Sequence, residues 1–291
     1  MTEQRKLDRV YVEIGNVCNL ACSFCPGTKR PLHQMTEAEF QTVCERLRPH
    51  TDYLYFHVMG EPLLHPSLDR FLRMAGECGF RVCITTNGTL LSSEGQMLLS
   101  HADVLHKVSI SLHSLEGNGT VSGQEADCYL SDAITFAREA SALGIHTVLR
   151  LWNLDADGRE GRNLANSAIE ARLHEAFPEE WKPRWNGFRL KQSVFLEYAG
   201  IFTWPTESDA EATLDGYCHG LLDQLAVLAD GTVTPCCLDS EGEIALGNLY
   251  RSTLPEILAA PRATAMWEGF SARKMVEPLC QKCTYARRFR H

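Results

Sequence analysis

The sequence predicts an α/β fold: a parallel sheet, either doubly wound or curled into an open partial barrel, followed by a smaller C-terminal domain. Three observations carry this expectation. Strand-length apolar runs alternate with helical stretches six times between Val10 and Phe195, a pattern that right-handed crossovers turn into a parallel sheet. The runs are apolar enough for burial on both faces, as strands covered by helices require. After about Ile201 the alternation stops, and a hairpin, short helices and paired cysteines replace it. Six units are too few to close an eight-fold barrel. In either arrangement the functional residues belong at the C-terminal ends of the strands.

The elements follow in order. A strand over 10–14 feeds a cysteine-rich loop, and Thr36 caps a helix that runs to about residue 49. A strand over 53–58 ends in Met59-Gly60-Glu61-Pro62. Ser67 caps a helix to about Cys78, and a strand over 81–86 ends in Asn87-Gly88. A helix over 92–101 and a strand over 107–112 come next, then an irregular Gly- and Ser-rich stretch over 114–128. Helix 131–143, strand 146–151, helix 162–177 and a sixth strand between Gly187 and Phe195 complete the alternation. Residues 225–237 read as a hairpin turning at Asp230-Gly231, with short helices over 254–259 and 262–270 after it. The expected domains are 1–205 and 206–291.

With 291 residues, 44% apolar and 22% charged, the chain can bury a substantial core without disulfides. The formal charge of −9 argues against a broad nucleic-acid footprint. Every apolar run is short and interrupted by charge, so neither a signal peptide nor a membrane span is expected, and the chain is placed in the cytoplasm. Twelve cysteines in a reducing compartment read as metal ligands rather than a disulfide framework. Seven of them form two groups, one toward each end of the chain.

The first group is Cys18, Cys22 and Cys25, a C-x3-C-x2-C run directly after the first strand. The thiols are too close in sequence for sensible disulfides. Three thiolates leave one position open on a zinc ion or an iron–sulfur cluster that four would saturate. A structural zinc loop stays open as an alternative, although zinc sites usually add a second nearby pair.

Filled by Cys18, Cys22, Phe24 and Cys25, the pattern C-x3-C-x-aromatic-C resembles the signature of the radical S-adenosylmethionine superfamily. In that family the motif follows the first strand of a partial (β/α)6 TIM-like barrel. Gly60-Glu61-Pro62 is similar to the family's GGEP motif, with Met59 in place of the first glycine, and Thr86-Asn87-Gly88 resembles its TNG motif. Ser111 and Arg150 stand where the family contacts ribose and carboxylate. The resemblance covers residues 8–200. It implies a [4Fe–4S] cluster on Cys18, Cys22 and Cys25, and S-adenosylmethionine held by Phe24, Gly60, Glu61, Pro62, Thr86, Asn87, Ser111 and Arg150. Chemistry agrees: Glu61 can accept from an ammonium group, and Arg150 can fork onto a carboxylate. The plainer readings are a turn at Gly60-Glu61-Pro62, a capping Ser111 and a structural ion pair for Arg150.

The second group is Cys218 and Cys236, which flank Gly231 as C-x12-G-x4-C, together with Cys280 and Cys283. Two separated pairs make a closed four-thiolate site, for zinc on the plain reading. The spacing is similar to SPASM/Twitch extensions of radical enzymes. No cysteine follows Cys283, which points to the Twitch form, where four cysteines saturate one auxiliary [4Fe–4S] cluster, as in a dehydrogenase of that subgroup. Cys237 could replace Cys236 as ligand, pack as a small apolar residue, or donate a hydrogen atom to a substrate radical. Cys44, Cys78 and Cys83 read as core, and Cys128 as buried. His113, two residues past Ser111, is a candidate base or substrate contact. His57, Trp152, Asn153, Glu197 and Tyr198 are further strand-end candidates. The loop 155–163 and the basic tail from Ala286 read as solvated.

The implied activity is reductive cleavage of S-adenosylmethionine to a 5′-deoxyadenosyl radical, which takes hydrogen from a small-molecule or peptide substrate. An electron from a flavodoxin- or ferredoxin-type donor starts it, and the auxiliary cluster accepts one, giving net oxidation. A redox-neutral epimerase using Cys237, a peptide-modifying maturase and a non-catalytic zinc protein are the alternatives. With little chain before Val10 to hold a peptide-recognition domain, the maturase is the less expected of these.

Overall fold

The structure is a computed structural model that describes residues 6–119, 122–154, 164–201, 203–205 and 210–289. The described residues form two compact units. The first draws on Met1–Val17, Pro26–Val82 and Phe202–His291, the second on Cys18–Cys25 and Cys83–Ile201.

The elements begin with β1 (Arg9–Val12), α1 (Glu37–Leu47), β2 (Tyr53–Phe56), α2 (Leu68–Glu77) and β3 (Arg81–Thr86). Next come α3 (Leu91–Leu99), β4 (Leu105–Ser111), α4 (Ser114–Gly117), α5 (Gln124–Ala142), β5 (His146–Leu154) and α6 (Leu164–Ala176). Three strands follow, β6 (Lys182–Arg184), β7 (Gly187–Lys191) and β8 (Val194–Gly200). The C-terminal part holds β9 (Gln224–Val227), β10 (Thr232–Thr234), β11 (Gly247–Asn248), α7 (Leu254–Leu258), α8 (Pro261–Ser271) and α9 (Pro278–Lys282).

In the first unit β1 pairs in parallel with β2 on one side and with β9 on the other. The strand order there is β11-β10-β9-β1-β2, with the last two ladders antiparallel. In this unit β9, from the C-terminal part of the chain, extends the sheet that β1 begins. Alternation along β1 and β2 makes two faces. Val10, Val12, Leu54 and Phe56 are fully buried. Phe56 meets Phe40 of α1 edge-on at 5.7 Å, and Phe40 stacks on Phe71 of α2 at 4.3 Å. Each such ring contributes roughly 1.5–3 kcal/mol of burial free energy. The opposite face carries Tyr11, Tyr55 and His57, with Tyr11 centred 5.4 Å from Tyr55 and 6.0 Å from His57. Thr36 and Glu39 form the expected capping box on α1, whereas Ser67 makes no side-chain cap bond to α2.

The second unit has the order β3-β4-β5-β8-β7-β6, counting β3 from Cys83. β4, β5 and β8 run parallel, and β7 and β6 return antiparallel. The sixth parallel strand is thus Val194–Gly200, not a strand within 187–195. Two tight turns explain the difference. Gly187 pairs with Arg184 to close one, and Ser193 at φ 62° turns the other. The expected irregular stretch 114–128 also contains helix, because α5 starts directly after Gly123 (φ 97°). Cys128 consequently lies on α5 and is exposed rather than buried, while Cys44 and Cys83 are buried as expected. Neither strand order closes on itself. Among the described residues no helix is long and apolar enough to cross a membrane.

Candidate metal centres

The cysteine loop in the second unit is short, irregular and pinned by its neighbours. The Ser23 N–H donates to the Gly117 carbonyl at 2.8 Å, and the Ala21 N–H to Asn118 Oδ1 at 2.9 Å. Asn118 Nδ2 in turn reaches the Ser114 carbonyl at 2.7 Å and Cys22 Sγ at 3.1 Å. Gly117 is a required glycine, since a Cβ there would meet the Phe24 ring at 2.5 Å and Cys22 Cβ at 3.1 Å. Cys18 and Cys25 are exposed and Cys22 is half-buried. Burial pushes the Cys22 thiol up, Cys25 and Cys18 push the same way, and the Asn118 N–H opposes them. Mutual repulsion of this kind marks three thiols that a shared cation would relieve.

Thr86, Asn87 and Gly88 brace this loop. The Gly88 N–H donates to Thr86 Oγ1 at 2.9 Å, and Asn87 Oδ1 accepts from the Thr89 N–H and hydroxyl at 3.0 and 2.7 Å. Asn87 Nδ2 donates to Asn19 Oδ1 at 2.9 Å and stands 4.0 Å from Cys18 Sγ. Gly88 adopts φ 81°, and a Cβ there would strike Ile110 at 2.8 Å. The Tyr129 hydroxyl bonds the carbonyls of Asn87 (2.8 Å) and Ser111 (3.3 Å), tying the ends of β3 and β4 together.

His113 does not continue β4 beside Ser111. The strand ends at Ser111, and His113 has helical backbone at the start of α4, so strand alternation does not apply to it. Its Nδ1 lies 3.1 Å from the Arg150 carbonyl, and its ring is 5.0 Å from that of Phe24. Burial lowers its pKa to about 4, which keeps it neutral near pH 7. Arg150 reaches Thr85 Oγ1 at 3.5 Å and lays its guanidinium over the Trp152 ring at 4.3 Å. Asn153 bonds Glu116 and Asn166, and the Tyr198 hydroxyl bonds Glu170 at 2.6 Å. The loop 155–163 lies outside the described residues.

In the first unit Gly60 has φ 79° and packs so closely that a Cβ would stand 2.4 Å from the Gly15 carbonyl oxygen. Only glycine fits there. The Glu61 N–H donates to the Val17 carbonyl at 2.8 Å. Glu61 is buried, and its Oε1 accepts from the Leu63 N–H at 3.0 Å, capping the 3-10 turn Pro62–Leu64. Val58 just upstream is held at φ 115°, a strained conformation for a β-branched residue. A buried ion pair lies alongside. Arg30 Nη2 meets Glu13 Oε1 at 2.6 Å, and Glu13 also accepts from the N–H groups of Met59 (3.3 Å) and Ala229 (3.0 Å). Burial raises the Glu13 carboxyl, while Arg30 and the two amides oppose the shift.

Cys218, Cys236, Cys280 and Cys283 line one cavity with Pro205, Pro235, Leu238, Ile244, Met275, Leu279 and Ala286. Asp239 also lines it, but its carboxylate accepts the Glu243 and Ile244 N–H groups at 2.9 Å each. Among the described lining residues the remaining side-chain donors are all sulfur. Burial pushes Cys218 up to about 11, with Cys283 adding to the shift, and carries Cys236 well above its ordinary value, with Cys237, Cys218 and Cys280 adding. Burial also raises Cys280 and Cys283. An apolar cavity holding four thiols is cheapest with its protons on, and a cluster that replaces those protons removes the repulsion. Cys237 turns away from it, onto an apolar cluster of Val58, Met59, Ala226 and Leu228 beside Tyr11 and Trp204. Arg287 and Arg288 of the basic tail are engaged: Arg287 bonds the Glu211 carbonyl at 2.6 Å, and Arg288 lies over Tyr285.

Among the described residues no three His, Cys, Asp or Glu side chains converge as a ready-made single-ion cage. Donor chemistry fits a thiolate-bound cluster in both places, with three sulfurs in the first set and four in the second. Sequence reasoning missed Asn118, Gly117 and the Glu13–Arg30 pair. The pattern C-x3-C-x2-C carries no signal for an amide about a hundred residues away.

The comparisons agree with this division. A family model of the radical SAM superfamily matches residues 12–157, and one of an iron–sulfur cluster-binding domain, SPASM, matches 218–284. The antilisterial bacteriocin subtilosin biosynthesis protein AlbA of Bacillus subtilis is 23% identical over 308 residues, 94% of this chain and 64% of that protein. The chain thus spans less than two thirds of its length. The S-adenosyl-L-methionine-dependent 2-deoxy-scyllo-inosamine dehydrogenase of Niallia circulans is 31% identical over 103 residues, 33% of this chain and 41% of that protein. The crystal structure of BtrN in complex with AdoMet and 2-DOIA covers 97% of this chain and 94% of its own, at TM-score 0.58 and 17% identity. This likeness in fold agrees with the expected partial (β/α)6 TIM-like barrel.

Proposed function

The chain belongs to the radical S-adenosylmethionine superfamily, and from that premise we propose that it oxidises its substrate, using the C-terminal four-cysteine centre as electron acceptor. Its cofactors are S-adenosylmethionine, a [4Fe–4S] cluster and an auxiliary iron–sulfur cluster. When bound, the reduced cluster and S-adenosylmethionine supply a 5′-deoxyadenosyl radical able to take a hydrogen atom from an unactivated C–H bond.

The protein residues bind and orient. Cys18, Cys22 and Cys25 would hold the first cluster, leaving an open position for the amine and carboxylate of S-adenosylmethionine. Asn118 and Asn87 place N–H groups toward Cys22 and Cys18, as outer partners that orient metal ligands do. Phe24 is seated between Gly117 and His113. We assign His113 to that support rather than to proton transfer, because its Nδ1 is engaged by the Arg150 carbonyl and its ring is neutral. Gly60, Glu61 and Pro62 serve the amino end of the methionine moiety, and Ser111 and Arg150 the ribose and carboxylate. Thr86 and Asn87 act by holding the turn beside the loop. In function the chain divides into a radical-generating part, 1–205, and an auxiliary-cluster part, 206–291.

One observation supports the oxidative reading: four cysteines line a single cavity, and a centre bound by all four would have a full protein ligand set and no position for substrate. A ligand-saturated centre suits electron transfer. The dehydrogenase among its relatives is in keeping with this. The substrate is a small molecule or a peptide, and a flavodoxin- or ferredoxin-type protein delivers the first electron. Redox-neutral epimerisation is the second reading. It is favoured by Cys237, whose thiol packs outside the four-cysteine cavity. Anaerobic incubation of the reduced protein with S-adenosylmethionine tests the common core. We expect 5′-deoxyadenosine and methionine from the wild type and neither from Cys22→Ala. Equal yields from both proteins contradict the assignment.

A further inference from the structure

We propose that Arg287 donates its Nε–H to a sulfur of the centre held by Cys218, Cys236, Cys280 and Cys283, and thereby raises that centre's reduction potential. The inference rests on the reading of the four thiols as an iron–sulfur centre and adds what sets its affinity for an electron.

The observations lie in one short stretch. Directly after Cys283 the chain makes a 3-10 turn, Ala286–Phe289, and Ala286 itself lines the four-cysteine cavity. Arg287, the next residue, has its guanidinium anchored by Nη2 on the Glu211 carbonyl at 2.6 Å. Its Nε is buried and has no hydrogen-bond partner among the described residues. A buried cationic N–H without an acceptor is costly, and such a group in a native fold calls for a missing partner. The guanidinium is planar, so anchoring Nη2 also fixes the direction of the Nε–H. The cavity of the four cysteines begins one residue away at Ala286, and an anionic sulfur there would satisfy this N–H. The site already uses the same device on another ligand, where the Gly220 N–H lies 3.4 Å from Cys218 Sγ.

Hydrogen bonds to sulfur and local positive charge are two of the quantities that set iron–sulfur potentials. Both favour the reduced centre, which carries one more negative charge. In the proposed oxidation the substrate carbon radical loses one electron, which the auxiliary centre gains, and a neighbouring proton, which passes to solvent water. Arg287 makes the acceptor more willing. Arg288 is exposed and lies over the Tyr285 ring at 4.9 Å, so it tests charge alone.

The test uses the full chain with Cys18, Cys22 and Cys25 replaced by alanine, so that only the auxiliary centre gives a paramagnetic signal when reduced. Redox titration followed by electron paramagnetic resonance then compares Arg287→Gln, Arg287→Lys and Arg288→Gln. Arg287→Gln should disfavour reduction at least tenfold, a fall of about 59 mV for a one-electron couple. Arg287→Lys keeps the charge without the Nε–H and should fall part of the way, and Arg288→Gln should shift less than Arg287→Gln. An unchanged potential in Arg287→Gln overturns the proposal, as do equal shifts in Arg287→Gln and Arg288→Gln. Loss of the centre in both Arg287 variants overturns it too, by making Arg287 a scaffold residue. Iron and sulfide analysis of the parent triple variant reports separately whether the centre exists at all.

Discussion

Asn118 Nδ2 stands 3.1 Å from Cys22 Sγ while its Oδ1 accepts the Ala21 N–H at 2.9 Å, so one carboxamide holds both a candidate ligand and the backbone beside it. Outer partners of metal ligands typically contribute about 10–100-fold in affinity or activity. Asn118→Ala should therefore lower deoxyadenosine formation by a factor in that range, with less iron retained after desalting. Asn118→Asp keeps the acceptor for Ala21 but places a negative charge against the thiolate, and should be worse than alanine in iron retention. Rates and iron content for the two variants check the ordering.

Glu13 and Arg30 form a buried pair whose carboxylate also takes two backbone N–H groups. Removing one member leaves a buried charge unpaired, at a cost of roughly 3–5 kcal/mol. Glu13→Met should destabilise the chain by that order in chemical denaturation. The double replacement Glu13→Met with Arg30→Met should recover part of the loss, because no charge is stranded. A double variant weaker than either single one would mean that the pair acts through its geometry rather than its charge.

Much of this was legible in advance, and the reasons differ by residue. Cys18, Cys22, Cys25, Cys218, Cys236, Cys280 and Cys283 stand out because thiols at metal-ligand spacing have few other uses. The strand-and-helix alternation through β5 is likewise visible, since burial on two faces writes long apolar runs. β6, β7 and β8 were not separable, because Gly187 and Ser193 turn the chain within a stretch that keeps strand composition. Asn118, Glu13 and Arg30 could not be read as a set, since their partners lie far away in sequence. Thr86 and Asn87 were visible as a motif, but not as the brace that their hydrogen bonds make.

His113 gives a pH dependence with a definite sign. Burial takes its pKa from 6.5 to about 4, so between those values the unfolded chain binds the extra proton and the native one does not. Stability should be complete above pH 6.5 and fall as the pH drops toward 4, by up to about 3 kcal/mol. Equilibrium unfolding of the wild type and His113→Phe across that range measures it. The variant should show the shallower slope.

Cys237 packs with Tyr11 and Trp204 on apolar residues, outside the cavity lined by Cys236. Cys237→Ala should therefore keep the full iron content and, on the oxidative reading, its turnover. Loss of turnover together with loss of solvent deuterium incorporation at a substrate carbon would favour the epimerase instead.

The most direct test of the central claim is Mössbauer spectroscopy of anaerobically purified protein enriched in 57Fe, with and without S-adenosylmethionine. The account predicts two [4Fe–4S] centres per chain, with S-adenosylmethionine altering the spectrum of one and leaving the other unchanged. In Cys22→Ala the responsive centre alone should disappear. A single cluster, or zinc without acid-labile sulfide in the four-cysteine cavity, contradicts it.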